Sequence, residues 1–517
     1  AAAKEPYFIT TPIYYVNGDP HLGHAYTSVT SDVVARYQRN FGKNVFFLTG
    51  TDEHGQKVQQ SASVAGESPQ SFADNVSAKF RLLTELLTCS NDDFIRTTEN
   101  RHKLAVATLW GKLEESGMVY LGKYTGWYSV RDESFFAEDM LIDGKAPTGA
   151  DVEWIEEECY YFRLSAWTDR LLEYYKENPG FIAPPGRRNE VIRFLEQEGG
   201  LHDISISRTT FTWGIPVPND PKHVMYVWLD ALANYISAIG YPDHPEHLKV
   251  LWPAALHVIG KDILRFHAIY WPAFLMACGL SPPKKVFAHG WWTRDGVKMS
   301  KSIGNCVCPF ELLELYGTDA VRYFLIAEIP FGQDGDFNKA AFTQRVNNDL
   351  ANDIGNLAFR VLSMIHKNYD GKIPVPLAPI CAADTELLMA STVATKNIKR
   401  HLENLSLHQT ALEVIKVARL GNKYIDEQAP WKLLKSDKDR AATVLFVLAE
   451  TIRRLSILLE PITPSACEAL FNQLGLEPSL RTVDSLELQI KPGTICSKPA
   501  VVFPRILSEE KEEASKS

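Results

Sequence analysis

The strongest constraint on this chain lies in its first fifty residues, where a strand pattern, an amphipathic helix and a second strand pattern follow one another without a break. "PYFITTPIYYV" (6–16) is β-branched and aromatic and is bounded by the turn signal "NGDP". From Leu22 the apolar residues Leu22, Ala25, Tyr26, Val29, Val33, Val34 and Tyr37 recur at helical spacing, and Gly42 stops the run. "NVFFLTG" then reads as a second strand. Strand, helix and strand in succession form a βαβ unit, which predicts an α/β domain with a parallel sheet.

The alternation breaks near residue 120. From "YLGKYTGWYSVRDESFF" to about residue 205, close-set Gly, Asp and Pro punctuate short aromatic strands, as in an inserted β-rich module. Alternation returns with "HVMYVWLDALANYISAIG" and "ALHVIGKDILRFHAIYWPAFLMACG". After about residue 340 only helical periodicity remains, which predicts a bundle. The expected order is a Rossmann-type catalytic domain in two halves (1–118 and 206–290) around a connective insertion (119–205). A lysine-loop region (291–340) and an all-α domain (341–517) follow.

Composition narrows the class. The 517 residues exceed what one core supports. A net charge of -9 argues against a uniformly basic, nucleic-acid-coating protein, and no run of eighteen apolar residues suggests a membrane span. Cys89, Cys159, Cys278, Cys306, Cys308, Cys381, Cys467 and Cys496 are mostly scattered singly, as in a reducing compartment. The final "SEEKEEASKS" has the composition of a disordered, solvated tail.

Two stretches carry chemistry. In "HLGH" (21–24), His21 and His24 share one side of a first helical turn, where unpaired N–H groups and the helix dipole attract anions. Gly23 leaves room for a ligand to approach closely. Taken alone, the pattern also suits a metal pair or two capping histidines. "VKMSKSIGN" (297–305) places Lys298 and Lys301 on a loop flanked by Gly296 and Gly304, where two ammonium groups would stabilise charge on a departing pyrophosphate.

Together, "HLGH" and "KMSKS" resemble the paired signatures of the class I aminoacyl-tRNA synthetases. "FLTGTDEHGQK", "RTTFTWGIPVP", "YVWLDALANY", "HVIGKDILRFHAIYWPAFL", "AHGWWT" and "DEQAPW" extend the likeness to the methionyl members along the whole chain. The resemblance implies ATP-dependent attachment of L-methionine to tRNA(Met) through methionyl-adenylate, with Mg2+ accompanying the ATP. It assigns His21, His24, Lys298 and Lys301 to catalysis, and His21, Gly23, His24, Asp262 and Lys301 to the nucleotide. It places Ile13, Tyr15, Trp228, Ala231, Leu232, Tyr235, Phe266, His267 and Trp271 around the methionine side chain, with Asp52 on the α-ammonium. Aromatic and aliphatic contacts suit a thioether, which offers almost no hydrogen bond.

Asn352, Asn356 and Arg360, at four-residue spacing, are expected to share a helix face, and Trp431 offers a stacking platform. In the family these positions read the CAU anticodon. Many relatives carry a zinc knuckle after "GWY", but Ser129 and Asp132 stand where its first cysteine pair would fall, so no zinc is expected. The insertion without a cysteine pair suggests an organellar matrix, mitochondrial or plastid, with the bacterial cytoplasm as the second placement. The short end after "VVFPRIL" suggests a monomer. The readings kept beside this one are a class I synthetase for another small apolar amino acid and a non-catalytic tRNA-binding relative.

Overall fold

The computed structural model describes residues 2–507; the tail expected to be disordered lies outside the described residues. The chain divides into two compact units. The first comprises residues 1–31, 43–85 and 90–289, and the second 32–42, 86–89 and 290–517.

The first unit is built on a seven-stranded parallel sheet. Its strands are β1 (Pro6–Thr10), β2 (Tyr14–Tyr15), β3 (Asn44–Asp52), β4 (Asp93–Arg96), β5 (Ile182–Ala183), β6 (Ala255–Gly260) and β7 (Lys285–His289). Across the sheet the order is β4, β3, β1, β6, β7 and β5, and β2 continues β1 along β3 after a break at Pro12. β1 is flanked by β3 on one side and β6 on the other, so connections leave it in opposite directions. Such a switch point opens a crevice at the carboxyl ends of the strands. Helix α1 (Leu22–Asn40) begins beside it, and all seven apolar positions read from its periodicity are buried. Gly42, with φ 88°, supplies the left-handed turn that ends the helix.

The insertion is a four-stranded antiparallel sheet with the order Ser134–Phe136, Val119–Ser129, Glu153–Phe162 and Ile204–Ser205. Arg208 is buried against it. Its guanidinium pairs with Glu157 at 2.8 Å and lies 4.1 Å from the centre of the Tyr128 ring. Residues 164–195 depart from the β-rich reading. They form helices Thr168–Glu177 and Pro185–Leu195, and between these β5 joins the parallel sheet beside β7. β5 is two residues long, too short to show any alternation, and both helices are rich in charged residues.

In the second unit, strand Trp292–Arg294 pairs with Val297–Lys298 and Gly335–Phe337. The lysine loop leaves from the second of these. Helix Lys438–Leu459, buried at every position from 441 to 459, forms the axis of the bundle. Its Glu450 holds both Arg453 and Arg454, and Asp32 of α1 pairs with the buried Arg322 at 2.7 Å. Arg322 also donates to the carbonyls of Leu87, Pro461 and Ile462, which ties the segments 32–42 and 86–89 into this unit. Among the described residues no helix is long and apolar enough to cross a membrane.

Candidate active site

At the mouth of the crevice, the two histidines of "HLGH" arrange each other. His24 Nδ1 accepts the His21 backbone N–H at 3.0 Å, and His21 Nδ1 accepts the Gly23 N–H at 3.0 Å. With both Nδ1 atoms accepting, a neutral ring carries its proton on Nε2, so each histidine offers an Nε2–H donor. The rings lie 3.7 Å apart, and His24 also packs edge-on against Tyr14 and Phe80. Burial, aided by the neighbouring His21, pushes the His24 pKa well below the usual imidazole value, so His24 is a neutral donor at pH 7.

Gly23 has a second reason to be glycine. A Cβ there would meet the His21 ring at 2.9 Å. If these histidines hold ATP as the family resemblance implies, Gly23→Ala is expected to displace His21 and raise the KM for ATP roughly tenfold with little change in Tm, measured by pyrophosphate exchange and thermal melting.

Deeper in the crevice lies a cavity of about 250 Å³. Ile13, Tyr15, Asp52, Trp228, Ala231, Leu232, Tyr235 and His267 line it, eight of the ten residues assigned to methionine. Phe266 and Trp271 do not. Phe266 stacks on the outer face of the wall at Trp228, with ring centres 3.5 Å apart, and borders a neighbouring aromatic cavity instead. Trp271 is fully buried one layer back, where its indole N–H donates to His257 Nε2 at 3.2 Å.

That bond leaves the His257 proton on Nδ1, which donates to Thr10 Oγ1 at 2.8 Å and bridges β1 to β6. The Tyr235 ring stacks on His257 at 3.9 Å, and its hydroxyl donates to His267 Nε2 at 2.6 Å. His267 donates its Nδ1–H to the Ile263 carbonyl at 3.0 Å. Burial lowers the His267 pKa to about 4, so this wall is neutral and apolar at pH 7.

Asp52 sits at the inner end. It is 6% exposed, and its Oδ1 has no hydrogen-bond partner. Burial, with Asp230, Glu133 and Glu53 nearby, raises its carboxyl well above the ordinary range. A buried unpaired oxygen of this kind is costly unless a ligand completes it. Asp230 shows the contrast. Burial alone would raise it, but His54 and His102, bonded at 2.7 and 2.8 Å, hold it below the usual carboxylate range. This buried network fixes helix Val227–Leu232, which carries Trp228, Ala231 and Leu232, to the end of β3. Sequence reading missed it, along with the cavity-lining Glu133. His54, Asp230 and Glu133 lie in "TDEHG", "WLDAL" and "RDESF", where no spacing links them.

Asp262 is exposed on the turn that follows β6. In the second unit the lysine loop is an ordered turn. Asn305 Oδ1 accepts the Ser300 N–H at 2.8 Å, and Asn305 Nδ2 donates to the Lys298 carbonyl at 3.1 Å. Lys298 Nζ lies 5.3 Å from the Trp291 ring centre, and Lys301 is exposed.

The bundle residues expected to share a face span a change of helix type. Val346–Asn356 is a π-helix that runs into α-helix Leu357–Asn368. Asn352 is half-buried and accepts from Arg505 at 2.9 Å, whereas Asn356 and Arg360 are exposed. Arg360 lies 5.4 Å from the Trp431 ring centre and 3.6 Å from Asp426. A left-handed Ala429 before Pro430 turns the chain there and leaves Trp431 40% exposed.

Comparison with known proteins is decisive. The family model "tRNA synthetases class I (M)" matches residues 7–153 and 140–362, and that of the anticodon binding domain of methionyl tRNA ligase matches 375–517. The methionine–tRNA ligase of Rickettsia felis is 51% identical over 97% of this chain and 99% of its own length. That of Brucella suis is 49% identical over 99% and 100%. A solved structure, Mycobacterium tuberculosis methionyl-tRNA synthetase in complex with methionyl-adenylate, superposes with a TM-score of 0.93 at 46% identity, covering 97% of this chain and all of that one. The chain belongs to the class I methionyl-tRNA synthetases. This synthetase uses ATP to attach L-methionine to tRNA(Met) through methionyl-adenylate. The relatives also correct the expected location. They are bacterial proteins, from Rickettsia, Brucella and Rhizobium, which speaks against the expected organellar matrix.

Proposed function

We propose that methionine occupies the cavity below the crevice with its ammonium on Asp52 and its thioether among Ile13, Trp228, Ala231, Leu232, Tyr235 and His267. The observation that carries this is the buried, unpartnered Asp52 oxygen at a cavity whose other carboxylate, Glu133, is already engaged by Tyr15 and the Lys57 N–H. ATP enters as its magnesium complex, with its phosphates on the Nε2–H groups of His21 and His24 and with Asp262 beside the nucleotide. The methionine carboxylate then attacks the α-phosphorus, the bond to the β-phosphate oxygen breaks, and pyrophosphate leaves stabilised by Lys298 and Lys301. The acyl group passes to the terminal adenosine of the tRNA, releasing AMP. Positioning and charge stabilisation suffice for both steps.

The enzyme works without zinc in this reading. Where relatives carry a cysteine pair, Ser129 Oγ accepts the Asp132 N–H at 3.1 Å and closes the turn itself, and Cys159 is the only cysteine of the insertion. In this reading the enzyme acts as a monomer.

For the CAU anticodon we assign Asn356, Arg360 and Trp431 to direct contact and Asn352 to their support. The juxtaposition of a guanidinium and a half-exposed indole suits unstacked bases. Trp431→Ala is expected to lower kcat/KM for tRNA charging by roughly 10- to 100-fold while leaving pyrophosphate exchange unchanged. Equal loss of both activities would contradict the assignment.

A further inference from the structure

The turn of the insertion that bears Arg131, Asp132 and Glu133 forms one wall of the methionine cavity. Glu133 is buried there in a left-handed backbone conformation, φ 48°. Its carboxylate accepts the Tyr15 hydroxyl and the Lys57 backbone N–H, the latter at 3.1 Å. Tyr15, on β2, is the direct register partner of Asp52 on β3. Glycine or asparagine would relieve the backbone at this turn, and an exposed position would spare the carboxylate its desolvation. A local rule broken twice at a cavity wall marks a residue retained for what it holds.

We propose that Glu133 is a positioning residue for methionine: it fixes the Tyr15 ring against the cavity beside Asp52, so that the inserted module sets the enzyme's affinity for its amino acid. The inference rests on the reading of the cavity as the methionine site. Burial, reinforced by the Glu133 anion and by Asp52, raises the Tyr15 phenol well above its usual pKa. The proton therefore stays on Tyr15, and the contact is a hydrogen bond from phenol to carboxylate.

The test is steady-state pyrophosphate exchange on the full-length enzyme with Glu133→Ala, Tyr15→Phe, their double variant, Glu133→Gln and Asp52→Asn. Glu133→Ala and Tyr15→Phe are each expected to raise the KM for methionine roughly 5- to 20-fold, with kcat and the KM for ATP within about twofold. The double variant should be no worse than the stronger single one, because both remove the same contact. Glu133→Gln keeps an acceptor oxygen and should recover most of the loss.

Should Glu133→Ala fail to fold, Tyr15→Phe, which removes only the hydroxyl, carries the test alone. A parallel rise in both KM values with a fall in kcat would indicate a merely structural role and overturn the proposal. So would additive effects in the double variant, or an unmoved methionine KM in Tyr15→Phe, while Asp52→Asn still raises it. If Asp52→Asn leaves that KM unmoved, the cavity reading fails and this inference fails with it.

Discussion

Asp52→Asn is expected to lower kcat/KM for methionine in adenylate formation by about two to four orders of magnitude. The substitution keeps the shape of the side chain but leaves a desolvated ammonium without its counter-charge, a loss on the order of 3–5 kcal/mol in buried pairs. The effect should fall on methionine and spare the KM for ATP, since the proposed phosphate site is at the histidines.

The pH dependence has a definite sign. Burial and the neighbouring acids raise the Asp52 pKa in the empty cavity. The ionised form that binds the ammonium is therefore lost as pH falls through a value above the ordinary ~3.9 of an aspartate. Methionine affinity, read as 1/KM between pH 5 and 8, should fall on acidification earlier than an ordinary carboxylate would allow. Asp52→Asn should flatten that profile. For stability the sign is opposite: the ionised, unliganded carboxylate costs folding free energy above the unfolded-state pKa, and bound methionine offsets it, so methionine should raise Tm.

Lys301→Ala should reduce the single-turnover rate of adenylate formation by about 10²- to 10³-fold, with methionine affinity unchanged. A charge that acts on the departing pyrophosphate contributes in the transition state and little to amino-acid binding. The exposed Lys301 and the hydrogen-bonded turn that carries it fit such a role: the backbone is ordered by Asn305 while the ammonium stays available. An equal rise in the KM for methionine would place Lys301 in the amino-acid pocket instead.

Much of this was legible in the sequence because it is local. β1, α1 and β3 follow from side-chain periodicity within fifty residues, and the histidines, Gly23 and Asp52 lie at the ends of those elements. Trp228, Ala231, Leu232 and Tyr235, assigned through the family resemblance, line one cavity, and their three- and four-residue spacings explain how a single helical segment presents all four. Phe266 and Trp271 were carried one layer too far inward. The π-turn Phe266–Tyr270 rotates their helix, so that Phe266 backs Trp228 and Trp271 holds His257. Such a change of helical pitch leaves no mark in hydrophobic spacing.

The remainder was illegible because it is non-local. β5 is a two-residue strand recognisable only by its pairing with β7. The His54–Asp230–His102 network joins three separate elements, and Glu133 meets Tyr15 across 118 positions. Buried polar groups of this kind are identified by their partners, which only the fold supplies.

The most direct measurement is a crystal structure of this enzyme with methionyl-adenylate. The account predicts the α-ammonium within hydrogen-bond distance of Asp52 Oδ1, the thioether between Trp228 and His267, and the adenylate phosphate within reach of His24 Nε2. A methionyl side chain seated in the neighbouring cavity lined by Phe135, Trp154 and Phe274, with Asp52 Oδ1 still unpaired, would contradict it.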